Sequence, residues 1–319
     1  MSAQGAVPPI EVRGLVKEYG QLRAVDGVDI TINEGDVYGY LGPNGAGKTT
    51  SLRMMLGLIT PTAGTVRLFG RNPIETVHAL EGVAGFVEAP TFYPYLSGRK
   101  NLDLLAAYDG DGASGRIDEA LETVELADRA KDRVGGYSHG MRQRLGIAGA
   151  LLRRPKLLLL DEPATGLDPA GMRDMRLLIR RLADHGMTVV LSSHLLAEVE
   201  ELCNRVAIVR SGRIVYEGLI SELKRSAGAV YRLATTDDEC AIVICRAQPG
   251  IAEVRIEHQH ICFTADEPAV AELSQALVEA GALIHALAPQ TVTLEDLFFS
   301  LTEGTAAVAP DGRLAGIAP

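Results

Sequence analysis

One stretch of this chain has the residue types and spacing for phosphate chemistry: Gly42-Pro43-Asn44-Gly45-Ala46-Gly47-Lys48-Thr49. It follows a short apolar run, Asp36–Leu41, and opens a helical pattern over Lys48–Leu58, the setting such a loop requires. Its glycines let backbone N–H groups turn toward phosphate oxygens, and the helix N-terminus behind adds partial positive charge. Lys48 then suits the β- and γ-phosphates of a nucleoside triphosphate. The Thr49 hydroxyl suits Mg²⁺, and Thr50 stands next to it on the same turn.

A second group is acidic. Asp161 and Glu162 follow four consecutive leucines, which places them at the carboxyl end of a buried strand, where ligands of parallel sheets bind. Asp161 suits the magnesium partner and Glu162 the group that polarises an attacking water. His194 ends a further apolar run, Val189–Ser193. A lone histidine in such a place is usually unremarkable.

More particular is Tyr137-Ser138-His139-Gly140-Met141-Arg142-Gln143-Arg144, which lies shortly before the acidic pair. It resembles the signature peptide of the ATP-binding cassette (ABC) ATPases. That resemblance covers residues 10–225 strongly and 226–303 more weakly. It implies that Ser138 and Gly140 complete, in trans, the ATP site of a second copy of the chain. It also places Asp168, in Gly166-Leu167-Asp168-Pro169, at the loop facing that copy, and Tyr19 where an aromatic ring stacks on adenine. His194 matches the histidine that contacts the γ-phosphate. His139 and Met141 depart from the usual Ser-Gly-Gly-Gln form.

Glu88 is a further departure, because the family usually has glutamine there to sense Mg²⁺ and water. A carboxylate adds negative charge beside the metal. The surrounding Gly85–Leu102 wording resembles the bacitracin- and lantibiotic-resistance branch, and Thr293–Phe298 resembles the end of anthracycline-type export ATPases. The family therefore implies an ATPase dimer with ATP and Mg²⁺, driving a separate membrane permease that moves an antibiotic peptide or amphipathic drug. Phe92, Tyr93 and Tyr95 lie where such ATPases receive a helix of the permease. The competing reading is a non-transport ABC ATPase acting on ribosomes or DNA. It is disfavoured by a single phosphate loop, no heptad array and a formal net charge of −10.

The elements that must hold these groups follow from the apolar pattern. Ile10–Val16 and Val25–Ile32 alternate as hairpin strands. Thr65–Phe69, Val83–Val87, Leu157–Leu160, Thr188–Ser192, Arg205–Arg210 and Arg213–Glu217 read as strands, with helices at Ala170–His185 and Leu195–Leu202. Strands alternating with helices predict an α/β P-loop ABC fold with a mainly parallel sheet, an antiparallel β layer and an inserted helical lobe over about 92–152.

After residue 225 the pattern becomes β-α-β-β-α-β, a small α+β domain over 226–303 with a regulatory or stabilising role. Residues 1–9 read as a flexible start and 304–319 as a disordered tail. Four cysteines without a framework spacing, and no apolar run near the ~20 residues a bilayer requires, predict a cytoplasmic protein held at the inner membrane face by its permease. No nucleic-acid partner is expected.

Overall fold

The alternation at the start of the chain produces a hairpin of β1 (Ile10–Tyr19) and β2 (Leu22–Ile32). It is followed by β3 (Val37–Leu41) and α1 (Lys48–Met55). Next, β4 (Ala63–Leu68) pairs with the other edge of β1, giving an antiparallel layer of order β2-β1-β4. The structure, a computed structural model, describes residues 7–109, 112–226, 229–257, 260–290, 293–303, 307–308 and 314–315. The chain divides into two units, Met1–Glu217 and Gly218–Pro319, so the first ends before residue 225.

The first unit continues with β5 (Val83–Phe86), α2 (Gly98–Asp109), α3 (Ile117–Thr123) and α4 (His139–Leu151). Then come β6 (Leu157–Asp161), α5 (Pro169–Asp184), β7 (Thr188–Ser193), α6 (Leu196–Leu202), β8 (Arg205–Arg210) and β9 (Arg213–Leu219). Six strands form one sheet of order β5-β6-β7-β3-β8-β9, in which β5 through β8 run parallel. Every residue of β3, β6 and β7 is buried, as expected of central strands covered on both faces. The expected helical lobe is α2, α3 and α4.

One core fixes the phosphate loop. Val12 and Ile30 of the antiparallel layer, Leu52 and Met55 of α1, and Tyr38 and Leu159 of the parallel sheet belong to the same buried cluster. Thus α1 is clamped between two sheets, and each such side chain contributes roughly 1.5–3 kcal/mol by leaving water. The helix ends at Met55 rather than Leu58, because Gly57 takes a positive φ of 70° that a right-handed helix cannot continue.

The second unit takes in the end of β9, and its first helix is α7 (Ile220–Ser226), which the sequence reading missed because only Ile220 and Leu223 are buried apolar residues there to mark a helical period. The expected β-α-β-β-α-β order is present as β10 (Ala229–Thr235), α8 (Asp238–Ala247), β11 (Ile251–Glu257), β12 (His260–Ala265), α9 (Glu267–Glu279) and β13 (Ile284–Gln290). The strands form an antiparallel sheet of order β11-β12-β10-β13. Its core joins Leu233 and Phe263 of the sheet to Cys245, Leu273 and Leu277 of the helices. Asp237 and Asp266 cap α8 and α9 by accepting from Cys240 N–H and Ala269 N–H.

The final helix, α10, spans Leu294–Glu303. Within the tail read as disordered, Ala307–Val308 pairs with Leu314–Ala315. The rest of that tail, like residues 1–6 of the flexible start, lies outside the described residues. Among the described residues no helix is long and apolar enough to cross a membrane.

Candidate nucleotide site

The carboxyl ends of three neighbouring strands, β6, β7 and β3, meet at one edge of the sheet. Asp161 stands opposite Ser192, and Leu41 opposite Ser193. The chain leaves β3 through the glycine loop, whose shape only glycine permits. At Gly47 φ is 99°, and an added Cβ would lie 2.3 Å from the Ala24 carbonyl oxygen. At Gly42 an added Cβ would lie 2.5 Å from the Val209 carbonyl oxygen. Pro43, Asn44 and Gly45 form the exposed crest, Ala46 is buried beneath it, and Thr49 and Thr50 follow Lys48 in the first turn of α1.

Lys48 is 6% exposed, and its ammonium donates 2.8 Å to the Gly42 carbonyl. It also lies 3.7 Å from Glu162 Oε1. On the neighbouring strand β7, the Ser192 hydroxyl donates to Asp161 Oδ1 and accepts from Glu162 N–H at 2.9 Å. One buried serine therefore holds the Asp161 carboxylate and the Glu162 backbone together, and Glu162 takes a left-handed φ of 48° at the bend. Glu162 Oε2 receives the Thr165 hydroxyl at 2.9 Å and faces His194 Nδ1 at 3.1 Å. Hence Lys48, Asp161, Glu162 and His194 form one connected group. Ser192 and Thr165 are members that sequence reasoning missed. Two serines closing a buried strand beside His194 were the available signal.

The signature peptide starts α4. Ser138 is its N-cap, accepting from Met141 N–H at 3.2 Å, which satisfies one of the free donors of the first turn. His139 reaches the Thr165 carbonyl, with Nε2 at 3.1 Å. Gly140 lies against Leu167, where an added Cβ would be 3.5 Å from Leu167 Cδ2. Asp168 caps α5, accepting from Gly171 N–H at 2.9 Å, with Pro169 opening the helix. Ser138, Gly140 and Asp168 thus have local structural duties and make no contact with the Lys48 group of their own chain among the described hydrogen bonds.

Tyr19 lies at the hairpin turn, half exposed, with the Lys17 ammonium 5.2 Å from its ring centroid. The hairpin reaches the phosphate loop through Ala24, against which Gly47 packs. Glu88 is exposed, has a left-handed φ of 69°, and pairs with Arg53 of α1 rather than with Asp161 or Glu162. In the helical lobe Tyr93 and Tyr95 are both exposed, their ring centroids 5.8 Å apart. Tyr93 lines a groove of about 380 Å³ together with Phe92, Leu104, Leu105 and Tyr108. Buried Asn101 pins this segment by accepting from Tyr93 N–H at 2.8 Å and donating to the Ser97 carbonyl at 2.9 Å.

Parallel strands that end in a glycine cradle on one side and a carboxylate pair on the other define a P-loop nucleoside triphosphatase. The antiparallel layer and inserted helical lobe specify the class further as an ATP-binding cassette. This chain belongs to the family of ABC transporter ATP-binding proteins. Residues 25–165 match the family described as ABC transporter.

The chain is 38% identical over 298 residues to the bacitracin transport ATP-binding protein BcrA of Bacillus licheniformis, covering 92% of this chain and 97% of that one. It is 37% identical to the daunorubicin/doxorubicin resistance ATP-binding protein DrrA of Streptomyces peucetius, covering 92% of each chain. Among solved structures, CbiO1 of Clostridium perfringens, part of the ABC transporter complex CbiONQ, superposes with a TM-score of 0.63. That match is 25% identical and covers 68% of this chain and 90% of that one. Membership brings ATP binding and hydrolysis as the activity of the subunit.

Proposed function

We propose that two copies of this chain sandwich two ATP molecules and drive a separate membrane permease that exports an antibiotic peptide or another amphipathic compound. The single observation that carries the catalytic part is Glu162, set between the Lys48 ammonium and His194 by Ser192 and Thr165. A carboxylate in that place accepts a proton from a water approaching the phosphate that Lys48 holds. His194 helps hold that water. In trans, Ser138 presents its hydroxyl, Gly140 admits close backbone approach, and α4 points its N-terminus at the phosphates. Asp168 faces the second copy, and Tyr19 stacks on adenine.

The oxygen donors fit Mg²⁺. Among the described residues no cluster of three or more His, Cys, Asp or Glu forms a metal cage. Mg²⁺ bound with nucleotide needs only one or two protein oxygens besides phosphates and waters. Thr49 and Asp161 supply them, with Glu88 as a third, and the ion neutralises charge developing on the phosphates. The exposed Tyr93, Tyr95 and Tyr108 beside their groove suit a permease helix, because aromatic side chains anchor interfaces. The names of the bacitracin and daunorubicin relatives support the cargo class.

The test is the Glu162→Gln variant in native membranes. ATP binding should persist while hydrolysis slows by roughly 10²–10⁴ fold, and the protein should co-purify with an integral membrane partner. Unchanged turnover would remove Glu162 from its role. Sedimentation with ribosomes and no membrane partner would replace the transport reading.

A further inference from the structure

We propose that His139 is a positioning residue, tying the Ser138 peptide to Glu162 of the same chain through Thr165. The inference rests on the composite-site reading above. In it, the Ser138 peptide touches ATP held by the partner copy, whereas Glu162 acts on ATP held by its own chain. A link between them within one chain joins the two ATP sites of the dimer.

Each joint of the link is a directed hydrogen bond. The Thr165 carbonyl only accepts, so His139 Nε2, 3.1 Å away, must carry a proton and donate. The Thr165 hydroxyl donates 2.9 Å to Glu162 Oε2, the oxygen that also faces His194. Thr165 N–H closes the turn on the Glu162 carbonyl at 3.2 Å. Thr165 is therefore held by His139 through its backbone while it orients the carboxylate with its side chain.

Packing makes the joint stiff. The His139 ring lies over Gly166, whose φ of 77° sets the turn, and Gly140 rests on Leu167. A shift of the α4 N-terminus toward a partner's phosphates must move the Thr165 carbonyl with it. The usual glycine at position 139 has no side chain with which to make this bond, so the departure from the family form adds a contact.

The experiment compares His139→Leu, His139→Gln and Thr165→Val in full-length protein, by ATPase kinetics, ATP binding and thermal melting. Leucine keeps the apolar cover but lacks the donor, glutamine keeps a donor, and valine removes only the exposed Thr165 hydroxyl. His139→Leu should lower kcat roughly three- to tenfold, the scale of one hydrogen bond. It should also bring the Hill coefficient for ATP toward one, with ATP affinity and melting temperature unchanged. His139→Gln should restore most of both losses. Thr165→Val should reproduce the leucine phenotype, and the double variant should lose no more than the worse single, since both cut one serial link.

Full activity and cooperativity in His139→Leu, a glutamine no better than leucine, or additive losses in the double variant would each overturn the inference. Were His139→Leu not to fold, Thr165→Val alone would decide, and unchanged kcat and Hill coefficient there would sink it. A wild-type protein that binds ATP without hydrolysing it would instead overturn the underlying functional reading.

Discussion

The carboxylate of Glu88 is held by the guanidinium of Arg53, one turn along α1 from Thr49. A helical turn is about 5.4 Å, so the cation that holds Glu88 springs from the turn next to the residue proposed to hold Mg²⁺. The sequence placed Glu88 with the metal, whereas its partner in the structure is a cation. Exposed pairs of this kind are worth about 0.2–1 kcal/mol, small enough for Mg²⁺ with nucleotide to compete for the carboxylate. Arg53→Gln should therefore lower the Mg²⁺ concentration for half-maximal ATPase by roughly twofold to fivefold. Titration of hydrolysis against Mg²⁺ checks this, and an unchanged midpoint would deny Glu88 a metal role.

Ser192 should matter beyond its size. Its hydroxyl is fully buried and serves both Asp161 and the Glu162 N–H. In Ser192→Ala a part-buried N–H and a buried carboxylate oxygen lose their partner, at a cost of up to about 1–3 kcal/mol each where no water replaces it. A lower melting temperature and reduced kcat, with ATP affinity nearly retained through Lys48, are expected from thermal denaturation and steady-state kinetics.

The sequence revealed the phosphate loop because its glycines answer a backbone demand: at Gly47 and Gly42 any side chain meets a carbonyl oxygen. Asp161 was legible because four leucines announce a strand buried on both faces. Ser192 and Thr165 were not, since a hydroxyl bridging two strands depends on sheet order, and β6 and β7 become neighbours only in three dimensions. Glu88 was legible as a departure but not as the partner of Arg53, because that pairing joins segments with no common local pattern. The β-α-β-β-α-β order of the second unit was readable from its apolar pattern, whereas α7 offers only Ile220 and Leu223 as buried apolar residues to mark a helical period.

Glu198 on α6 gives a pH prediction. It is almost fully buried, and its Oε1 has no hydrogen-bond partner among the described residues. Burial pushes its carboxyl above the usual glutamate range, with Arg176 and His194 pulling it down and Glu201 pushing it up. A raised folded-state value means that its contribution to stability is fully present below the unfolded value of about 4.3 and lost as pH rises through the folded value. At neutral pH the charged form is therefore a burden. Glu198→Gln should melt higher than wild type near pH 7–8, with the gap closing as pH falls toward ~4. A gap independent of pH in paired melting curves would assign the effect to packing.

Variants of the aromatic groove should separate permease docking from hydrolysis. Tyr93 and Tyr95 are 54% and 65% exposed, so neither side chain is needed for the core of the helical lobe. Asn101 holds the segment through the Tyr93 backbone, which substitution of the ring leaves intact. Replacing both tyrosines with alanine should change stability by no more than about 0.5 kcal/mol, as at other exposed positions. The nucleotide site is distinct from the groove, so ATP binding by the purified subunit should be unchanged. Aromatic anchors at an interface commonly contribute 2 kcal/mol or more, about 30-fold in affinity. The double variant should therefore be lost from membranes that retain the wild-type subunit. Co-purification at matched expression reads this out, and equal retention would place the permease contact elsewhere on the chain.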